Sequence, residues 1–267
     1  MNGPLFGHVW RANRGRLLVV SLAFVLWGTL LPIIFDAFGE QFQQIIDSGI
    51  IPPQMAQFGG GDIFSLSGSV ALGFIHPIAV GMALVFAVGF AGAAVAGERQ
   101  RGTLEVLLAR PISRRRVYLT LAAAAALFVG IIVAALSLGA LLGAALTDRV
   151  AELGPGNLPL VWLNATLLYL AIAAVSLAAS VSFDRLTPAL GVSLAFVLVS
   201  YFLDVLGDLW PDAAGLQPLS VFHYLDARGA LTGLPDATNF LVLAGVTVIA
   251  VVYALVVFPR RDLAAPS

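Results

Sequence analysis

Long apolar runs separated by short polar stretches occupy almost the whole chain. The hydrocarbon core of a bilayer is about 30 Å thick, and about 20 helical residues are needed to cross it. Six runs reach that length, at about residues 17–35, 70–97, 116–146, 160–182, 188–206 and 239–258. The pattern therefore predicts an all-α, polytopic integral membrane protein, with residues 1–267 forming one transmembrane domain of six helices.

The segments outside these runs predict three smaller features. Residues 4–16 place apolar side chains on one helical face and arginines on the other, which predicts an amphipathic elbow helix before the first span. Residues 36–69 form a polar loop that contains Gly and Pro. Residues 207–238 are too apolar for a free loop and too often broken by Pro and Gly for a span. We therefore expect short re-entrant or interfacial helices between the fifth and sixth spans.

The charges sort unevenly between the two sides of the predicted spans. All 14 basic residues are arginines, and one side receives only Arg149 and Arg228. The other side receives the remaining twelve, which are Arg11, Arg14, Arg16, Arg99, Arg101, Arg110, Arg114, Arg115, Arg116, Arg185, Arg260 and Arg261. Loops rich in arginine stay in the cytoplasm, so we expect both termini there. The exclusive use of arginine favours a prokaryotic source, and hence the prokaryotic cytoplasmic membrane.

Composition agrees with the membrane assignment and excludes several kinds of chemistry. The chain is 60% hydrophobic and 11% charged, with a mean hydropathy of +0.96, far from the mixture found in soluble domains. It contains neither Lys nor Cys. A P-loop needs its lysine against the phosphates, so the chain is not expected to hydrolyse ATP or to carry a cofactor of its own. Thiol catalysis and thiolate metal sites are excluded for want of sulfur ligands.

The most polar stretch is GERQRGTLEVLLARPISRRR, residues 97–116. Gly102 interrupts the second helix, Thr103 can cap a new one, and Glu105 falls in its first turn, where the helix dipole favours an anion. Three leucines recur at helical spacing on one face, Pro111 ends the helix, and Ser113 can cap the third span. Anionic headgroups would explain the triple arginine, whereas a short amphipathic helix favours a docking surface for a cytoplasmic protein.

This stretch resembles the loop between the second and third spans of type-two ABC exporter permeases. The matching positions are Glu98, Arg99, Gly102, Thr103, Leu104, Glu105, Leu107, Leu108, Pro111, Ser113 and Arg114. Many relatives carry a lysine about one turn into the third span, where this chain has Leu119, Thr120 and Leu121. A weaker resemblance lies at LQPLSVFHYL, before the last span, although Val221 replaces the usual proline of that motif.

The resemblance implies a function and a set of partners. In that family the loop contains the coupling helix, which seats on a separate ABC ATPase subunit, a P-loop protein that binds ATP and Mg²⁺. The chain would then be the permease subunit of an exporter that moves a hydrophobic or amphipathic substrate by alternating access. Six spans are half of a translocation pathway in the family, so a second copy or a homologous permease is implied. Membrane lipid is a further expected partner, and nucleic acid is not.

Further residues are candidates for contact with the substrate or the ATPase. His76 precedes Pro77 in the second span, where a polar group is either functional or hydrogen-bonded beside a proline kink. With Phe222 and Tyr224 it forms the candidate substrate path. Asp184 and Arg185 lie in the turn SFDRLTP, which is either a second ATPase contact or a plain solvated turn.

Two other function classes stay open at this point. An intramembrane enzyme would need buried catalytic groups, but the sequence shows no HExxH, no GxSxG and no acidic pair in mid-span. A stand-alone channel or secondary transporter would be expected to carry charges inside its spans. Such charges are scarce in this chain.

Overall fold

A computed structural model describes residues 1–48, 65–109 and 111–261, and this part of the chain is helical without any strand. The helices are α1 (Gly3–Asp47), α2 (Leu66–Ile75), α3 (Pro77–Ala93), α4 (Ala96–Gln100), α5 (Thr103–Leu108), α6 (Arg114–Leu146), α7 (Val150–Leu153), α8 (Leu158–Ser182), α9 (Leu186–Leu209), α10 (Ala227–Leu231) and α11 (Ala237–Arg260). The expected all-α class is confirmed.

The number of helices able to cross a membrane agrees with the hydropathy pattern. Among the described residues, α1, α6, α8, α9 and α11 are long and apolar enough to span a bilayer. The pair formed by α2 and α3 passes the same test together, with a bend of 41° between them. The described chain therefore has five such helices and a bent pair, and six spans if the pair crosses as one. It is a multi-pass membrane protein.

The first span and the expected elbow form one continuous helix, so a separate elbow helix at residues 4–16 is not confirmed. Helix α1 has no break between Gly3 and Asp47. The physical reason is a single buried stripe, formed at helical spacing by Val9, Leu17, Val20, Phe24 and Leu31. The helix also extends past the predicted span into the predicted loop 36–69. Residues 49–64 of that loop lie outside the described residues.

Helices α1 and α6 pack side by side and run parallel. Asn2 donates its backbone N–H to Thr120 Oγ1 (2.8 Å) near one end, and Asp36 pairs with Arg149 just beyond the other (2.8 Å). Between these points the two backbones approach closely at three glycines. A Cβ on Gly28, Gly139 or Gly143 would overlap a backbone carbonyl oxygen of the facing helix. Small residues permit this approach in lipid, where helices have no hydrophobic drive to associate.

The bend in the second span follows from the residue pair His76–Pro77. Pro77 has no N–H to donate to the carbonyl of Gly73, and that carbonyl instead accepts from Trp27 Nε1 of α1 (3.0 Å). Ile78 donates its N–H to His76 Nδ1 (3.3 Å), and the Phe74 carbonyl accepts from Tyr169 Oη of α8 (2.8 Å). The helical bonds lost at the bend are thus replaced by bonds to two neighbouring spans.

We expect Tyr169→Phe to destabilise the protein because it leaves the buried Phe74 carbonyl without its donor. The expected loss is about 1 kcal/mol in the free energy of unfolding, the scale of a hydrogen bond between membrane helices. Thermal unfolding of the purified protein in detergent would measure it. Tyr253→Phe makes the same change at an exposed hydroxyl beside Ser182 and should leave the midpoint nearly unchanged. Equal midpoints for the two variants would contradict this account of the bend.

The segment between α9 and α11 is folded onto the ends of the spans. It contains two 3₁₀ helices, Pro211–Leu219 and Phe222–Tyr224, followed by α10. The buried Asn164 of α8 donates to the Tyr224 carbonyl (3.0 Å) and accepts from the Asp226 N–H (2.9 Å). Short helices are therefore present in this segment, although α9 runs to Leu209 and so enters the expected region 207–238. Their re-entrant or interfacial placement stays a prediction.

Candidate functional site

The loop that joins the second and third spans is built around Glu98. Thr103 Oγ1 donates to the Glu98 carbonyl (3.1 Å) and to its carboxylate (2.5 Å), and the Arg101 guanidinium also pairs with this carboxylate. Burial raises the pKa of Glu98, but the hydrogen bonds from Thr103 and Arg101 outweigh it and bring the pKa below its ordinary value. The carboxylate therefore stays ionised at neutral pH and holds the turn before α5.

Gly102 allows the sharp reversal into α5. Its φ of +72° lies in the left-handed region, where a side chain costs roughly 1–2 kcal/mol. The helix follows at once from Thr103. The sequence prediction of a short helix that begins after Gly102 agrees with this geometry, while Arg110, just past its end, lies outside the described residues.

The leucines of helix α5 face the interior of the protein, and other residues of the helix face solvent. Leu104 is only 2% exposed, and Leu107 and Leu108 are half-buried against the hydrophobic core. Glu105 is exposed, and Val106 is 68% exposed. The leucine face therefore anchors α5 to the transmembrane domain, and a partner would meet Glu105 and Val106. The sequence reasoning missed Val106, although helical spacing places it opposite the leucines.

The start of the third span is tied to the end of the last one. Ser113 Oγ accepts from the Arg116 N–H (3.3 Å) and caps α6 as expected, next to the exposed Pro111. Arg114 Nη1 donates to the carbonyls of Arg261 (2.6 Å) and Phe258 (3.2 Å) at the end of α11. A cation is unfavourable at its own helix N-terminus, but it is favourable at a helix C-terminus. The bonds to the carbonyls at the end of α11 thus offset the unfavourable energy of placing Arg114 at the N-terminus of α6.

The turn between α8 and α9 belongs to the same end of the protein. Asp184 accepts from Arg99 (2.6 Å) and from Arg261 (2.5 Å), while Arg185 is exposed. Gln100 Oε1 accepts from the Leu186 N–H (2.9 Å) at the start of α9. The turn is therefore bonded to the loop before α5 and to the residue after α11. We call this region, residues 98–109, 111–116, 183–186 and 258–261, the arginine-rich end.

The three residues of the candidate substrate path each have a local packing partner. The His76 ring lies 4.9 Å from the Trp27 ring beside the bend. Phe222 is buried and meets Tyr201 edge-on at 5.2 Å, and Tyr224 Oη donates to the Pro218 carbonyl (2.9 Å). These contacts account for the positions of the side chains without a substrate.

The family model described as ABC-2 family transporter protein matches residues 11–263, which include α5 and every residue of the arginine-rich end. No curated protein matches the chain.

Proposed function

Because the chain belongs to the ABC-2 transporter family, we propose that it is the permease subunit of an ATP-driven exporter. The observation that carries this proposal is helix α5, which is anchored by Leu104 and presents Glu105 and Val106 to solvent. A short helix held in this way is suited to receive a displacement from a docked protein. Its direct chain connections to the second and third spans would pass that displacement into the membrane.

We further propose that the arginine-rich end faces the cytoplasm. The strong asymmetry of arginine between the two sides of the spans supports this orientation. Both termini would then be cytoplasmic, and the membrane would be that of a prokaryotic cell. An ATPase needs cytoplasmic ATP, so this orientation puts α5 on the side where such a partner would be found.

The energy source in this proposal is a separate P-loop ATPase that binds ATP and Mg²⁺. The chain has no lysine to serve a Walker motif, so hydrolysis is assigned to the partner. The loop positions from Glu98 to Arg114 would form the coupling region, with α5 as its contact surface. Contacts between α5 and the ATPase must differ between its two nucleotide states, because a ligand shifts a conformational equilibrium only through differential affinity.

The translocation pathway would need a second permease, either another copy of this chain or a homologue. The outward faces of α9 and α11 carry exposed apolar side chains. Either lipid or a second permease can pack against these faces. The few fixed charges inside the spans favour a hydrophobic or amphipathic substrate. A stand-alone channel is the alternative, and it would conduct without any ATPase.

Reconstitution into lipid vesicles tests the proposal. The chain is incorporated together with its ATPase, and the movement of a fluorescent amphipathic dye is followed with and without ATP. We expect dye movement that requires ATP and disappears when the catalytic glutamate of the ATPase is replaced. Equal movement without ATP or without the ATPase would favour the channel and contradict the exporter.

A further inference from the structure

Asp184 is the shared anion of a three-residue cluster, Arg99–Asp184–Arg261, which we call the Asp184 clamp. Both guanidinium groups bond to the same carboxylate oxygen, Oδ1, at 2.6 Å and 2.5 Å. The Arg99 side chain is only 11% exposed and that of Arg261 26%, whereas Asp184 is 56% exposed. The carboxylate therefore bridges two largely buried cations at the edge of the protein.

The clamp joins three segments that are far apart in the chain. Arg99 lies in α4, directly before the turn that leads to α5, and Arg261 follows α11. Asp184 lies in the turn between α8 and α9. Neighbouring bonds strengthen each junction, because Gln100 accepts from the Leu186 N–H and Arg114 donates to the Arg261 carbonyl. A series of contacts thus runs from α4 through the turn to the end of α11, and from there to the start of α6.

We propose that Asp184 is a positioning residue that makes the α5 segment and the end of α11 move as one body. This inference rests on the proposed function, since it assigns a route for the displacement of α5. The chain alone connects α5 only to the second and third spans. Through the Asp184 clamp the same displacement also reaches the fourth, fifth and sixth spans.

The negative charge of Asp184 explains how one carboxylate can hold the loop before α5 against the end of α11. Without it, two guanidinium groups that are mostly removed from water would face each other with no anion between them, and like charges repel strongly in such surroundings. Only the neighbouring bonds, from Leu186 to Gln100 and from Arg114 to the Arg261 carbonyl, would then hold the loop before α5 near the end of α11, and the distance between the two would vary more widely. Asp184→Asn keeps the size of the side chain and removes this charge, whereas Asp184→Glu keeps the charge.

Distances between spin labels test the clamp in the permease alone. The chain has no cysteine, so cysteines placed at Ala109, after α5, and at Arg260, in α11, give the only labelled pair. We expect a narrow distance distribution in the parent chain and in Asp184→Glu, and a broadened one in Asp184→Asn. Asp212→Asn makes the same chemical change at an exposed site elsewhere and should leave the distribution narrow. A narrow distribution in Asp184→Asn would overturn the proposal.

A second measurement separates positioning from a merely structural effect. In vesicles that contain the ATPase, Asp184→Asn should keep ATP hydrolysis but lose much of the dye moved per ATP, and Asp184→Glu should restore it. An unchanged ratio in Asp184→Asn would overturn the proposal. If the parent permease neither binds the ATPase nor responds to ATP, the proposed function fails. The spin-label distances still test the Asp184 clamp in that case, because they are measured without the ATPase. Should Asp184→Asn not fold, Arg261→Gln breaks the arm to α11, together with the bond from Arg261 Nη1 to the Val181 carbonyl, and must broaden the distribution likewise.

Discussion

Replacing Glu105 with Arg and Val106 with Asp should abolish ATP-driven transport while the permease itself stays folded. Both side chains project into solvent from α5, so the double variant removes no packing contact. The change from an anion to a cation in the first turn of α5 costs only a few tenths of a kcal/mol at an exposed position. A side chain that is a hot spot of an interface contributes about 2 kcal/mol or more, which is roughly thirtyfold in affinity. The affinity of the detergent-purified permease for its ATPase, measured by surface plasmon resonance, should fall by at least that factor.

A matched control separates docking from a general effect of new charges. Asp212→Arg with Leu234→Asp makes comparable changes at two exposed positions far from α5. This control should keep full affinity for the ATPase and full transport. Wild-type affinity in the Glu105→Arg, Val106→Asp variant would show that α5 is not the docking surface.

Alanine at both Gly139 and Gly143 should severely destabilise the protein. Each new Cβ would overlap a backbone carbonyl oxygen of α1, that of Val25 in one case and of Thr29 in the other. A backbone atom cannot rotate away, so the two helices must separate and lose their contact. Overpacking of this kind costs about 1–3 kcal/mol per site. We expect a strongly reduced yield of monodisperse protein on size-exclusion chromatography and a lower midpoint of thermal unfolding.

The control for this pair is alanine at Gly191 and Gly245. A Cβ at either position meets no atom within 4 Å, and alanine is the better helix former. The control should therefore match or exceed the parent in yield and thermal midpoint. The close packing of α1 on α6 would be contradicted if both double variants behaved alike.

The sequence predicted those features of the structure that are determined by residues close together along the chain. The six apolar runs predicted the spans because a span has to match the thickness of the bilayer. Gly102 was expected to interrupt the second helix, and it does. The expected cap by Thr103 is wrong, because Gly102 takes the N-cap position of α5 and Thr103 Oγ1 donates back to Glu98. Ser113 was expected to cap α6, and it does. The Pro77 bend was among the alternatives stated for His76.

Contacts between distant segments were beyond the reach of the sequence. The triple arginine suggested lipid headgroups, yet Arg114 bonds to the end of α11, more than 140 residues away. Nothing local in the sequence indicated that Asp184 bridges Arg99 and Arg261. Its side chain is exposed, as expected of a solvated turn, and its contact with the ATPase stays a prediction. The elbow was inferred from one amphipathic stretch, whereas the buried stripe that continues it into the span depends on packing against α6. Such pairings require knowledge of which helices are neighbours.

The central claim is that this chain works with a separate ATPase that docks on α5. The most direct measurement is to purify the tagged chain in mild detergent from its native host and to identify co-purified proteins by mass spectrometry. We predict a P-loop ATPase in near-equal amount, and its loss from the Glu105→Arg, Val106→Asp variant. A parent chain that is recovered with no ATPase, or an ATPase that binds the variant equally well, would contradict the claim.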